Sequence, residues 1–114
     1  MKEIEEFSGE AAGRVGELQR LLDEYQRSYF PARSPEFFCL ELNGEAGELA
    51  NLEKKRWKGR EVPHERLAEE AADTLIALLN YSNSRGIDLA AAFEKKILAI
   101  ERSRLERAAK GLEY

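Results

Sequence analysis

The chain has 114 residues, 43% of them hydrophobic and 35% charged, which suits one soluble domain of roughly three to five amphipathic helices. A formal net charge of −4 gives no overall attraction for nucleic acid. The single cysteine, Cys39, excludes an internal disulfide and fits a reducing, cytoplasmic setting; its apolar neighbours predict a buried, inert thiol. No stretch reads as a secretory leader or as the ~18 apolar residues of a membrane span, so no membrane partner is expected.

Val15, Leu18, Leu21, Leu22 and Tyr25 recur at helical spacing and predict a first helix from Gly9 to Tyr29. Gly9, Gly13 and Gly16 weaken its start, and residues 1–8 are expected to fray or to form a separate short turn. Phe30 to Arg33 is a connection. Ser34 is an N-cap with Pro35 at the first helical position, and a second helix runs through Phe37, Phe38, Leu40, Leu42, Leu49 and Leu52 to about Arg56. Lys58 to Val62 is a loop. Pro63 opens a third helix whose apolar set is Leu67, Ala71, Ala72, Leu75, Ile76, Leu78, Leu79 and Tyr81. Gly86, after Arg85, closes it, because glycine takes the left-handed conformation at no steric cost. Asp88 caps a fourth helix carrying Leu89, Phe93, Ile97, Ile100 and Leu105; from Ser103 onward the chain is mostly charged and reads as a solvated tail, residues 103–114. No segment alternates with period two. The expectation is a single all-α domain over residues 1–114, an antiparallel four-helix bundle with short connections.

Two acidic motifs stand inside the apolar helices: Glu45-Ala46-Gly47-Glu48, then Glu69-Glu70-Ala71-Ala72-Asp73. Residues three apart share a helix face, so Glu45 projects with Glu48, and Glu70 with Asp73. Two packed helices of this kind converge four carboxylates, which a divalent cation stabilises and which surface ion pairing could also explain. Mg²⁺ prefers such hard oxygen donors. A di-iron carboxylate bundle needs Glu-x-x-His motifs, and the only histidine, His64, lies at the start of the third helix as a solvated loop residue. Gly44 and Gly47 mark either a close helix crossing or clearance for a ligand, and Ala71 and Ala72 admit the same two readings.

The segments Leu42 to Ala50, Glu69 to Ile76 and Gly86-Ile87-Asp88-Leu89 together resemble the MazG-like all-α nucleoside triphosphate pyrophosphohydrolases, over roughly residues 34–100. The resemblance implies hydrolysis of a (deoxy)nucleoside triphosphate to the monophosphate and pyrophosphate, as housecleaning of surplus or noncanonical nucleotides. It implies Mg²⁺, with Mn²⁺ as an alternative ion, held by Glu45, Glu48, Glu70 and Asp73, where it would neutralise phosphate charge and activate the attacking water. Glu69 is expected to support the outer shell of the metal or to activate water, and Glu41 is a further outer candidate.

For the phosphates, Lys54 and Lys55 lead a basic cluster with Arg56, Lys58 and Arg60; the alternative is a solvated helix end, which favours cations. Lys96 matches a position where the family commonly has a phosphate-binding lysine, although Ile100 replaces the asparagine often found four residues later. Trp57 is a stacking candidate for the base, two positions after the tryptophan of related dCTP-type members. Phe38, Asn43 and Asn80 are further base-site candidates; Tyr29, Phe30 and Phe37 are aromatic alternatives for which core packing is the competing role. The resemblance also implies a homodimer or a dimer of dimers with substrate near the subunit interface. Two alternatives are the phosphoribosyl-ATP pyrophosphohydrolase of histidine synthesis and a non-catalytic helical adaptor.

Overall fold

A computed structural model of the chain describes residues 2–113. Among the described residues there are four helices and no strand: α1 (Lys2–Tyr29), α2 (Pro35–Trp57), α3 (His64–Arg85) and α4 (Leu89–Ala109). No helix is long and apolar enough to cross a membrane.

The helix boundaries follow local chemistry. Ser34 Oγ accepts the Phe37 N–H at 3.2 Å with Pro35 behind it, satisfying a donor that the first turn leaves orphaned. Asp88 Oδ1 does the same for the Ala91 N–H at 3.1 Å. Gly86 ends α3 at φ +69°, a conformation that costs other residues about 1–2 kcal/mol. Pro63 precedes α3 as its N-cap and makes no side-chain capping bond, so the helix begins at His64.

α1 starts earlier than the glycines suggest. Glu3 and Glu5 occupy its first turn, where the helix dipole favours carboxylates, and the Ser8 hydroxyl donates to the Glu5 carbonyl at 3.1 Å. Gly16 has a packing role as well, since a Cβ there would stand 3.2 Å from Ala90 Cβ.

The chain divides into two compact units. One comprises residues 2–21 and 87–113. In it, Ala12 and Gln19 are buried and α4 has no fully buried residue. Gln19 ties the start of α4 to α1: its Nε2 donates to the Ile87 carbonyl at 2.6 Å, and its Oε1 accepts the Leu89 N–H at 3.1 Å.

The other unit, residues 22–86, is built on α2 and α3 packed as an antiparallel hairpin, with Phe38, Leu52, Ala77 and Leu79 as its buried apolar residues. The short turn over residues 58–63 brings the acids of α2 opposite those of α3, with Glu45 near both Glu70 and Asp73, while Arg85 at one end of the hairpin meets Glu36 at 3.4 Å.

Burial departs from the sequence reading at several positions. Cys39 is exposed, because it follows the inward-facing Phe38 by one residue and is turned about 100° away. Phe30 and Phe37 are exposed also. Leu75, Ile76 and Leu78 are exposed with Ala71 and Ala72, and only Ala77 and Leu79 from that stretch reach the core.

Candidate metal centre

α2 and α3 present acids to one another from facing turns. One carboxylate oxygen each from Glu45, Glu70 and Asp73 lies within 4.8 Å of the others. Glu45 and Glu70 are half-buried, and Asp73 is open to solvent. Glu48 is exposed beside Glu70 and also feels Asp73, with Arg66 opposing weakly.

Hydrogen bonding between neighbouring carboxyls, with repulsion behind it, is visible in the proton affinities. The neighbouring Glu70 carboxylate, above all, raises the pKa of Glu48 from its ordinary 4.5. Glu70 is itself raised, chiefly by Glu45 and then by burial. Its Oε2 is shielded from solvent and accepts no hydrogen bond. A buried, unpartnered carboxylate oxygen is costly unless a proton or a cation completes it.

The donor set fits a hard divalent cation. An octahedral Mg²⁺ with oxygens about 2.1 Å away spaces them roughly 3 to 4 Å apart, close to the grouping of the three acids. Every donor is a carboxylate, and the lone histidine, His64, is exposed at the start of α3.

Other predicted residues distribute around this centre. Glu69 and Glu41 are exposed and outside the three-acid group. Among the described residues nothing lies within 4 Å of a Cβ at Gly44 or Gly47. Lys54 and Lys55 line a cavity of about 270 Å³ with Asn51, Lys58 and Arg60, and no acid lines it. Lys96 is exposed on α4. Trp57, 87% exposed, ends α2, and Asn43 is exposed on the same helix.

Phe38 and Asn80 meet in a second cavity of about 270 Å³. Asp23, Gln26, Arg27, Phe30, Arg33 and Asn83 also line it. Asn80 is only 6% exposed, and its Nδ2 donates to Gln26 Oε1 at 3.4 Å. The two phenylalanine rings Phe37 and Phe38 stand edge to face at 5.4 Å, with the Arg33 guanidinium 5.0 Å from the Phe37 centroid. Tyr29 and Phe30 instead gather around Tyr25, at 5.5 and 5.6 Å. Sequence reasoning missed Gln26 and the two arginines, because only the packing of three separate segments brings them to Asn80.

Along the hairpin the features follow an order. Phe38 precedes Glu45, and Asn80 follows Asp73, by two helical turns on the same side, about 10 Å along the axes. Lys55 follows Glu48 by the same interval in the opposite direction. The acids therefore stand between an amide-and-aromatic cavity and a basic one. No family model matches the chain, and comparison with curated proteins and with solved structures found no match.

Proposed function

We propose that this chain is a Mg²⁺-dependent nucleoside triphosphate pyrophosphohydrolase that cleaves a (deoxy)nucleoside triphosphate to the monophosphate and pyrophosphate, with housecleaning of surplus or noncanonical nucleotides as its role. The observation that carries the reading is the convergence of Glu45, Glu70 and Asp73, together with the shielded Glu70 Oε2 that has no hydrogen-bond partner. These three residues would hold the ion, with Glu48 beside them; Mn²⁺ could serve in its place. When bound, the ion supplies neutralisation of phosphate charge and a lower pKa for a water. Glu69 and Glu41 are left for outer contacts.

The cavity of Phe38 and Asn80 suits the base better than exposed Trp57 or Asn43. Its amides and aromatic rings can satisfy a base edge and a base face together, and a nucleoside triphosphate is long enough to span the two turns to the acids. Lys54 and Lys55 remain candidates for the phosphates; nothing about Lys96 beyond its exposure and the resemblance supports a role. The exposed apolar residues of α3 support assembly as a homodimer or dimer of dimers.

The direct test is pyrophosphate release from a panel of canonical and modified nucleoside triphosphates, with Mg²⁺ and with EDTA. Release that depends on the ion and favours one base is expected. Glu48→Gln and Asp73→Asn should each lower it by at least about a hundredfold, the upper end of losses from disturbing residues around a metal, with helical circular dichroism unchanged. Full turnover in both variants would remove the site assignment, and silence of the wild type across the panel would remove the reaction.

A further inference from the structure

We propose that the basic cavity at the end of α2 is a binding site for linear polyphosphate, working without a metal ion. The cavity lies outside the three-acid group, and the proposal extends the phosphate role open to Lys54 and Lys55. Asn51, Lys54 and Lys55 come from the last turns of α2 and Lys58 caps its C-terminus, and spacings of three and four residues set them on neighbouring positions of one face. Arg60 joins them because the chain folds back: the Arg60 N–H donates to the Lys55 carbonyl and the Lys58 N–H to the Lys54 carbonyl, each at 3.0 Å, with Gly59 at φ +89° making the turn.

The four cations surround about 270 Å³ without an acid in the lining, and among the described residues none of them pairs with a carboxylate. The nearby ion pair, Arg56 with Glu53 at 3.7 Å, leaves them out. Like charges gathered around one cavity repel each other, and an anion of several charges relieves that repulsion. A helix C-terminus favours cations in general, but it does not explain Arg60, which lies beyond the helix and is bent back onto it.

The charge selects the ligand. Four cations with no acid in the lining suit a compact inorganic chain of several negative charges. Ammonium and guanidinium groups with one carboxamide donor match consecutive phosphoryl oxygens. The cavity also lies two turns beyond Glu48, on the side away from the proposed base cavity. Its biological role therefore rests on the pyrophosphohydrolase reading: it would receive the two phosphoryl groups that leave as pyrophosphate. The binding itself does not depend on that reading.

The experiment is calorimetric titration of the full chain with inorganic tripolyphosphate, pyrophosphate and sulfate, in EDTA and low salt. Tripolyphosphate is expected to bind once per chain and at least tenfold more tightly than sulfate. The double variant Lys58→Ala with Arg60→Ala should weaken it at least tenfold, whereas Asp73→Asn should leave it unchanged. Absence of binding, equal affinity for sulfate, full affinity in the double variant, or loss in Asp73→Asn would each overturn the site. All four side chains are exposed, so the double variant should keep its helical spectrum. Tripolyphosphate binding in a chain that hydrolyses no nucleotide would keep this proposal and sink the enzymatic one; ion-dependent turnover without metal-free binding would do the reverse.

Discussion

Single carboxylates in the acidic centre carry a stability signature separate from any turnover. Glu48 and Glu70 hold their protons more tightly in the folded chain than the ordinary 4.5, because Glu70 crowds the first and Glu45 the second. A raised folded pKa contributes stability that is full below the unfolded value and is lost as pH climbs through the raised one. Glu17 and Glu101 act oppositely: Arg20 and Arg104 lower them, so their contribution is present above 4.5 and fades only at more acid pH. Between neutrality and the ordinary 4.5 the raised pair therefore dominates among these groups. Metal-free protein should melt at higher temperature as pH falls across that window. Mg²⁺ at neutral pH should raise the melting temperature and flatten the profile, since a ligand at a hundred times its dissociation constant adds about 2.7 kcal/mol. Glu70→Gln should show the raised melting temperature at neutral pH without Mg²⁺ and lose the response to the ion. Thermal melts followed by circular dichroism decide this; a flat metal-free profile would mean that the acids do not oppose one another.

Whole elements are held by a few polar ties whose cost can be measured. Gln19 spends both ends of its amide on backbone groups where α3 gives way to α4, at 2.6 and 3.1 Å. Gln19→Ala leaves the Ile87 carbonyl and the Leu89 N–H short of a partner, at roughly 1–3 kcal/mol for each that stays buried. Urea unfolding should show a loss of about 2–3 kcal/mol with little change in helical signal; a loss below about 0.5 kcal/mol would mean that water replaces the amide. Such a tie is not legible in sequence, because it joins positions nearly seventy residues apart. What was legible is local. Ser34 with Pro35, Gly86 and Asp88 announce their helix ends within three or four residues, and the acids announce themselves by repeated spacing across a short turn. Phe38 and Asn80 are candidates from the sequence, but their shared cavity and its partner Gln26 come from packing. Exposure at Cys39 and Leu75 also escaped local reasoning, since an apolar residue reads alike whether its cover is its own chain or another surface.

For the whole molecule the question is what covers α3. An element apolar on more than one face is normally buried on more than one face. α2 takes the side bearing Asp73 and Ala77, yet Ala68, Ala71, Ala72, Leu75, Ile76 and Leu78 remain exposed, and α2 adds Leu40 at 74% exposure. Gly44 and Gly47 leave open space beside α2, where another backbone could approach. A second copy of the chain satisfies both observations. Light scattering should report a dimer or a dimer of dimers, and Leu75→Glu with Leu78→Glu should yield a monomer that keeps its helices. Alanine at positions 44 and 47 separates packing from propensity. In an uncovered helix each glycine-to-alanine change should stabilise by roughly 0.5–1 kcal/mol. Where a partner backbone lies against those glycines, the added methyls should instead loosen the assembly in sedimentation. A wild-type monomer, or a pair of alanine substitutions that only raises the melting temperature, would leave the apolar face of α3 without a second copy to explain it.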